Sequence, residues 1–478
     1  MVEIKEGLTF DDVLLVPKKS AVASRKDITL RTKLTRNICI NVPLVSANMD
    51  TVTEAAMAVA MARQGGIGII HRFLTIEQQV AEILKVKRAE GLIIERPYTI
   101  TPEKSIKAAR EMMEDVAVTG LLVVDHSNKL VGILTHKDMK FQSENSKKVE
   151  EIMTGKADLI TAPVGISQED AKKIMIKNKI EKLPITDQDG YLRGLITSKD
   201  VENREKYPMA CKDSKGRLIV GAAVGVKEGF LERADALLKA GCDVLVVDIA
   251  HGHSDLGIDT VKAIKNNIGS HAEVIAGNVA TAAGTKDLID AGADCIKVGV
   301  GPGSTCITRI VTGSGVPQLM AVVDCAKVGM EYNIPLIADG GLKNSGDVVK
   351  ALAAGAHSVM SGSFFAGTDE SPGNLITKDG RKFKAYRGMA SLGATVGRRL
   401  REKKEELTIF DIVPEGVEAT VPYKGSITEL IPQLVGGIRS GFSYCGARNI
   451  DELHKNAEFI RMTSAGMKES KPHILDLG

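Results

Sequence analysis

Eight short runs of nearly continuous apolar, largely β-branched residues punctuate the chain. They are Leu44–Asn48, Ile67–Ile70, Leu218–Ala222, Val244–Asp248, Val274–Gly277, Cys295–Gly299, Pro335–Asp339 and Ser358–Gly362. Amphipathic stretches such as Phe230–Ala240, Ala282–Ala291 and Gly346–Ala354 separate most of them. A run that is apolar at nearly every position suits a parallel strand covered on both faces. Eight such strands alternating with helices predict an α/β fold, a closed (β/α)8 TIM barrel. A doubly wound open sheet is the alternative, and the count of eight favours the barrel.

The spacing breaks once. The second run ends at Ile70 and the third starts at Leu218, an interval that no simple βα unit fills, so an inserted unit is expected. This interval repeats itself: Gly132-Ile-Leu-Thr-His-Lys-Asp138 returns 62 residues later as Gly194-Leu-Ile-Thr-Ser-Lys-Asp200. Each copy follows a helix-like stretch (Ser105–Asp115, Gln168–Lys179), a strand-like run (Leu121–Asp125, Leu183–Asp187) and a turn. The pair resembles a tandem of cystathionine-β-synthase (CBS) domains, a Bateman domain. The expected division is a catalytic barrel from 1–94 and 207–478, with a regulatory insertion at 95–206 whose repeats span about 95–148 and 150–206. The Thr-x-x-Asp step suits a helix N-terminus, with Thr capping and Asp closing the box. The resemblance implies a second role, with Thr135, Asp138, Thr197 and Asp200 beside the ribose of a regulatory purine nucleotide.

With 478 residues, 44% hydrophobic, the chain can bury more than one average core. A formal net charge of +3 selects no partner; aromatics at 4% and no Trp argue against a nucleic-acid surface. No apolar run nears the ~20 residues needed to span a bilayer. The start, Met1–Phe10, carries two glutamates and no long apolar stretch, so no signal peptide is expected and the reading is cytoplasmic. The cysteines at 39, 211, 242, 295, 306, 325 and 445 form no CxxC pair. They read as free thiols, most of them core residues.

Chemistry in such barrels forms at the C-terminal ends of the strands. The sixth run leads into Gly299-Val-Gly301-Pro-Gly303-Ser304-Thr305-Cys306-Ile-Thr308-Arg309. Its glycines let backbone amides approach a ligand, and its thiol lies among small polar residues, a setting for nucleophilic attack. A glycine-rich turn around a buried cysteine is the bland alternative. The motif's length and its place after a strand weigh against it. The seventh run ends in Asp339-Gly340-Gly341, where a carboxylate can take ribose hydroxyls and glycines admit a phosphate. The eighth ends in Met360-Ser-Gly362-Ser363, and the two loops together make the usual barrel phosphate site. Asp248 ends the fourth run, ahead of His251 and His253; the intervening glycine suits close packing beside a ligand better than a metal.

Leu8–Leu15, Ser46-Ala-Asn-Met-Asp-Thr-Val52, Gly301–Arg309, Ala338–Gly341, Tyr386-Arg-Gly-Met389 and Val421-Pro-Tyr-Lys-Gly425 together resemble the IMP dehydrogenase/GMP reductase family, over essentially the whole chain. The resemblance implies a nicotinamide-dependent oxidoreductase working at purine C2. Cys306 would attack C2, with Thr308 and Glu415 handling protons. Ser46, Ser304, Asp339, Gly341, Gly362, Ser363, Tyr386, Gly388 and Met389 would hold the nucleotide. Asp248 and Asn278 would face the nicotinamide riboside of NADPH or NAD. The carbonyls of Gly299, Gly301 and Cys306 resemble a monovalent-cation (K+) site. A homotetramer through the barrels, or an octamer through the CBS pairs, is implied as well.

The two branches differ at the flap, 391–425. A dehydrogenase hydrolyses its covalent adduct and needs a base to activate water, a step worth ~10²–10⁴-fold. In that branch the base is an Arg followed by Tyr. Here Ser391–Glu415 contains Arg398, Arg399 and Arg401 but no Arg-Tyr step. The reductase branch relies instead on the Thr near the Cys and the Glu that opens the flap's second half, and Thr308 and Glu415 are both present; this favours GMP reductase (GMP and NADPH to IMP and ammonia), with IMP dehydrogenase (IMP, NAD and water to XMP) as the alternative. The CBS insertion and Gly367–Gly373 look more like the dehydrogenase branch. A nucleotide-sensing regulator with an inactive barrel is a third reading, but a binder has no use for the thiol.

Overall fold

The computed structural model describes residues 4–91, 93–95, 97–116, 118–142, 144, 146–401 and 413–471. The chain divides into two compact units. One is Met1–Ala89, Met209–Asp213 and Leu218–Gly478; the other is Glu90–Pro208 and Ser214–Arg217. The second therefore starts a few residues before the 95–206 read from the repeat.

In the first unit eight parallel strands close into a barrel in chain order. They are β1 (Leu44–Ser46), β2 (Ile67–Ile70), β3 (Gly221–Val224), β4 (Val244–Asp248), β5 (Val274–Val279), β6 (Cys295–Val298), β7 (Leu336–Asp339) and β8 (Ser358–Ser361). The helices that alternate with them are α1 (Ala55–Arg63), α2 (Ile76–Ala89), α3 (Phe230–Lys239), α4 (Asp255–Ile268), α5 (Ala282–Asp290), α6 (Gln318–Glu331), α7 (Ser345–Ala353) and α8 (Ile427–Tyr444). Along β4, Val244 and Val246 join the barrel's interior cluster, while Leu245 and Val247 join the layer under the helices. Both faces are dry, which is why the run carries no polar stripe. The hairpin Thr32–Lys33 with Cys39–Ile40 adds Leu34 and Ile40 to the interior cluster near the strands' N-terminal ends.

Two strands depart from their apolar runs. Leu218–Val224 is continuously apolar or glycine, and only its second half enters the barrel. Leu218 bridges Lys212 and the Ile219 amide donates to Cys211 O at 3.1 Å, which closes a local hairpin before β3 begins. Strand β5 extends past Gly277 to Val279 with a register shift between Gly277 and Val279, and so carries Asn278 to the strand ends.

In the second unit two hairpins repeat each other. Gly120–Val124 pairs with Leu130–Thr135 in the register Leu121↔Leu134 and Val123↔Gly132; Lys182–Thr186 pairs with Leu192–Thr197 as Leu183↔Ile196 and Ile185↔Gly194. Each has a register shift at its fourth residue (Val123/Val124, Ile185/Thr186). Both Thr-x-x-Asp steps are capping boxes. Asp138 Oδ2 accepts from the Thr135 amide and hydroxyl, both at 2.7 Å; Asp200 Oδ2 accepts the Thr197 amide at 3.1 Å and hydroxyl at 2.5 Å. Burial raises the Asp200 carboxyl above its ordinary value. Among the described residues no helix is long and apolar enough to cross a membrane.

Candidate active site

Strands β4 to β8 deliver Asp248, Asn278, the Cys306 loop, Asp339 and the Gly362 loop to one end of the barrel. A cleft of about 730 Å³ opens there, lined among others by Asp248, Asn278, Cys306, Thr308, Asp339 and Glu415. Gly299, Gly301, Gly388 and Met389 also face it.

The Cys306 loop is fixed by backbone bonds. The Cys306 amide donates to Gly303 O (3.0 Å), and the Ile307 amide donates to Glu415 O (2.9 Å). Val417 N donates to Thr305 O (2.9 Å), Gly388 N to Val417 O (3.0 Å) and Glu415 N to Ala390 O (3.0 Å). The cysteine loop and residues 388–390 and 415–417 therefore move as one body. Within it the Cys306 thiol donates to Thr308 Oγ1 at 3.1 Å, and the Thr308 hydroxyl donates to Glu415 Oε2 at 2.8 Å. Every donor points the same way, so a proton leaving sulfur has a path to a carboxylate.

Burial sorts the remaining thiols. It pushes Cys211 up to about 11 and Cys242 and Cys325 to about 12, and it raises Cys295 and Cys445. Those sulfurs stay protonated and inert near neutral pH. Cys306 is half-buried in the cleft and Cys39 lies exposed elsewhere.

The cleft floor is charged. Lys297, whose side chain is 3% exposed, donates to Asp339 Oδ2 at 2.9 Å and to Asn278 Oδ1. Asn278 Nδ2 in turn donates to Asp339 Oδ2 (2.9 Å) and Gly299 O (2.8 Å). Arg72 Nε holds Asp248 Oδ2 at 3.1 Å. Burial alone would raise the Asp248 carboxyl; Arg72 and Lys297, with a hydrogen bond from Asn48, hold it below its usual value instead. Asp248 is thus an anion ready to accept hydroxyl donors.

Beside the Cys306 loop, Tyr386 OH and Ser304 Oγ lie 3.1 Å apart. Burial raises the Tyr386 phenol, which keeps its proton available to donate. Gly340 and Gly341 have φ of +83° and +77°, a left-handed turn that favours glycine. A Cβ at Gly362 would come within 2.8 Å of Tyr386 OH and 2.6 Å of Met49 Sδ, so a side chain here would have to displace the ends of both. Ser363 Oγ lies 3.4 Å from Ser361 Oγ, and Lys424 Nζ donates to Ser363 O at 2.5 Å.

Ser46 departs from expectation. It is fully buried and its hydroxyl accepts from Thr53 at 2.9 Å, while Ala47, Asn48 and Met49 line the cleft. Val45 and Ala47 belong to the barrel's interior cluster, so Ser46 between them turns its hydroxyl away from the interior, towards Thr53 just ahead of α1. Arg72 and Lys297 were missed. A single Lys inside the apolar run Cys295–Val298 was the available signal, because a charge does not enter a closed strand without partners. His253 Nε2 sits 2.8 Å from Asp287 Oδ2, and among the described residues no cluster of His, Cys, Asp or Glu has the grouping of a metal centre.

The strand ends of this closed barrel thus gather a cleft thiol hydrogen-bonded through a hydroxyl to a carboxylate, above a charged floor. The model of the IMP dehydrogenase / GMP reductase domain matches residues 7–473, and the chain belongs to that family. It is 60% identical over 474 residues to the inosine-5'-monophosphate dehydrogenase of Nitrosopumilus maritimus (strain SCM1), covering 98% of this chain and 99% of that relative. The corresponding Aquifex aeolicus (strain VF5) dehydrogenase is 54% identical over 477 residues, with 99% and 97% covered. A solved structure of a cysteine-to-alanine GMP reductase from Trypanosoma brucei, in complex with guanosine 5'-monophosphate, is 48% identical with a TM-score of 0.93, covering 99% of this chain and 98% of that one. The protein is an NAD(P)-dependent oxidoreductase of purine nucleotides, and the reading as an inactive regulator is set aside.

Proposed function

We propose that the protein is an IMP dehydrogenase, converting IMP, NAD and water to XMP and NADH. The observation that carries this is relatedness, 60% and 54% identity to two dehydrogenases over essentially their whole length; the relay Cys306–Thr308–Glu415 offers a proton acceptor in place of the missing Arg-Tyr step. Cys306 Sγ attacks C2 of the bound purine and its proton passes through Thr308 Oγ1 to Glu415. A bound NAD would supply the hydride acceptor for C2, and Glu415 gives up the thiol's proton to solvent. Water then attacks C2 as Thr308 and Glu415 take one of its protons, and the C–S bond breaks to free XMP and a thiolate that Glu415 reprotonates through Thr308. Asp339, Ser304, Gly341, Gly362, Ser363, Tyr386, Gly388 and Met389 hold the nucleotide; Asp248 and Asn278 face the cofactor's ribose.

The preference for a reductase, drawn from the missing Arg-Tyr step, gives way to relatedness. The dehydrogenases above are 60% and 54% identical to the chain, and the reductase structure is 48% identical. Of the flap, 391–401 begins with the helix Leu392–Arg401, and 402–412 lie outside the described residues. GMP reductase, with NADPH, is kept as a second reading on one observation: Ser391–Glu415 carries no Arg-Tyr step. Absorbance at 340 nm decides between them. A rise with IMP and NAD supports the dehydrogenase. A fall with GMP and NADPH alone overturns it.

The remaining assignments belong to the same proposal. The inserted repeats form a CBS pair that binds a regulatory purine nucleotide near Thr135, Asp138, Thr197 and Asp200, the chain assembles as a tetramer or octamer, and it works in the cytoplasm. The carbonyls of Gly299, Gly301 and Cys306 would hold a potassium ion. Gly299 O already accepts from Asn278, but a carbonyl oxygen has two lone pairs, so the donor set fits.

A further inference from the structure

Of the motif Ser46–Val52, Ala47, Asn48 and Met49 line the cleft, whereas Ser46 is buried and Asp50, Thr51 and Val52 are not among the lining residues. Its later residues do something else. The Asp50 carboxylate accepts from Arg387 Nε at 3.2 and 3.1 Å, one to each oxygen, and again from Nη2. Thr51 Oγ1 accepts the Arg387 amide at 3.3 Å, and the Asp50 amide meets Met389 Sδ at 3.4 Å. The Asp50 side chain is 8% exposed and that of Arg387 is 30% exposed.

Arg387 ends the strand Arg381–Arg387, which pairs antiparallel with Glu418–Pro422. It stands between Tyr386, which bonds Ser304, and Gly388, whose amide is bonded to Val417. Val417 and Ile307 tie the 415–417 segment to the cysteine loop. A shift at Arg387 therefore reaches the nucleotide-binding Tyr386 and Met389 on one side and Glu415 on the other. A planar guanidinium held through several nitrogens fixes direction as well as distance, which an ammonium does not.

We propose that the Asp50–Arg387 ion pair is a positioning latch, which docks the Tyr386–Met389 segment on the loop after β1 and thereby sets the Cys306–Thr308–Glu415 relay. Neither residue touches the reacting atoms. The meaning of the relay rests on the dehydrogenase reading; the latch itself does not.

The test uses the full chain with Arg387→Met, Asp50→Asn, the double variant and Arg387→Lys. Steady-state kcat and KM, GMP and IMP affinity by calorimetry, the Cys306 alkylation rate with iodoacetamide, and Tm are read for each. Each single variant should lose about a hundredfold in kcat/KM, the cost of moving a reacting group by roughly 1 Å. The double variant should be no worse than the singles, because both break one contact. Arg387→Lys should recover part of kcat, and the Cys306 alkylation rate should change in the two single variants. Multiplicative losses in the double variant, or a fall in Tm with kcat, KM and alkylation rate unchanged, overturn the latch. If the wild type turns over neither IMP nor GMP, the functional reading fails, and nucleotide affinity and alkylation still decide the latch.

Discussion

Replacing Glu415 by Gln removes the last acceptor of the relay and keeps its shape. Thr308 Oγ1 and Glu415 Oε2 are 2.8 Å apart and Cys306 Sγ and Thr308 Oγ1 3.1 Å, so both transfers lie within direct hydrogen-bond reach. A positioned base contributes ~10²–10⁴-fold, and each tenfold is about 1.4 kcal/mol of barrier. Steady-state turnover with IMP and NAD should therefore fall by ~10²–10⁴, or about 3–5 kcal/mol. The hydrolytic step should suffer most, because a thiol can lose its proton to solvent but a water attacking the C2 adduct must be activated in place. Stopped-flow absorbance at 340 nm would then show a first-turnover burst of NADH close to one per site, followed by a slow steady state. Thr308→Val should reproduce that pattern. Full steady-state activity in Glu415→Gln would place the water-activating base elsewhere and refute the argument. Equal loss of burst and steady state would confine the relay to the thiol attack.

Four further outcomes follow from other parts of the structure. Cys306→Ala should abolish turnover while calorimetry still detects nucleotide binding, and iodoacetamide should then label exposed Cys39 and no thiol in the cleft. Lys297→Met strands Asp339 without its buried partner, which costs ~3–5 kcal/mol when one member of a buried pair is removed; denaturant melts should show that loss, KM should rise for both nucleotide and NAD, and Lys297→Arg should be milder. Burial, and secondarily His454, lower His357 from 6.5 to about 4. The unfolded chain then binds the extra proton between those values, so roughly 3 kcal/mol of stability present above pH 6.5 is lost as pH falls towards 4, and His357→Gln should flatten that limb of an equilibrium unfolding profile. Replacing KCl by NaCl in the assay should slow turnover if the carbonyls of Gly299, Gly301 and Cys306 hold potassium; equal rates in both salts reject that site.

The barrel was legible because parallel strands buried on both faces leave a continuous apolar signature, as in Val244–Val247. The signature marks a strand without marking its ends. Leu218–Val224 is one unbroken run in which a local hairpin and β3 meet, and pattern alone does not separate them. The repeat was legible because 62 residues separate equivalent ladder partners as well as equivalent letters. At the candidate site, glycine-rich segments after strands pointed to loops that the structure gathers around one cleft. Which face a residue takes was less readable: Ser46 carries a hydroxyl and lies buried, and neighbouring Ala47 carries none and faces the cleft. Lys297 and Arg72 escaped notice because their role lies in contacts with Asp339, Asn278 and Asp248, which are distant in sequence.

The relay also explains why motif residues identify the family more readily than its branch. Hydrolysis of a C2 adduct needs a group that takes a proton from water; expulsion of ammonia from C2 needs a group that gives one to nitrogen. Glu415 through Thr308 can do either, since a general base in one direction is a general acid in the other. Cys306, Thr308 and Glu415 are therefore equally at home in both reactions. The absence of an Arg-Tyr step counts against a dehydrogenase only if that pair is the sole source of a base, and the 2.8 Å contact between Thr308 and Glu415 offers another. What remains to separate the branches is the rest of the chain, where similarity is 60% to a dehydrogenase and 48% to a reductase. The chemistry at C2 admits either second reactant, and relatedness is what favours water in the proposed reaction.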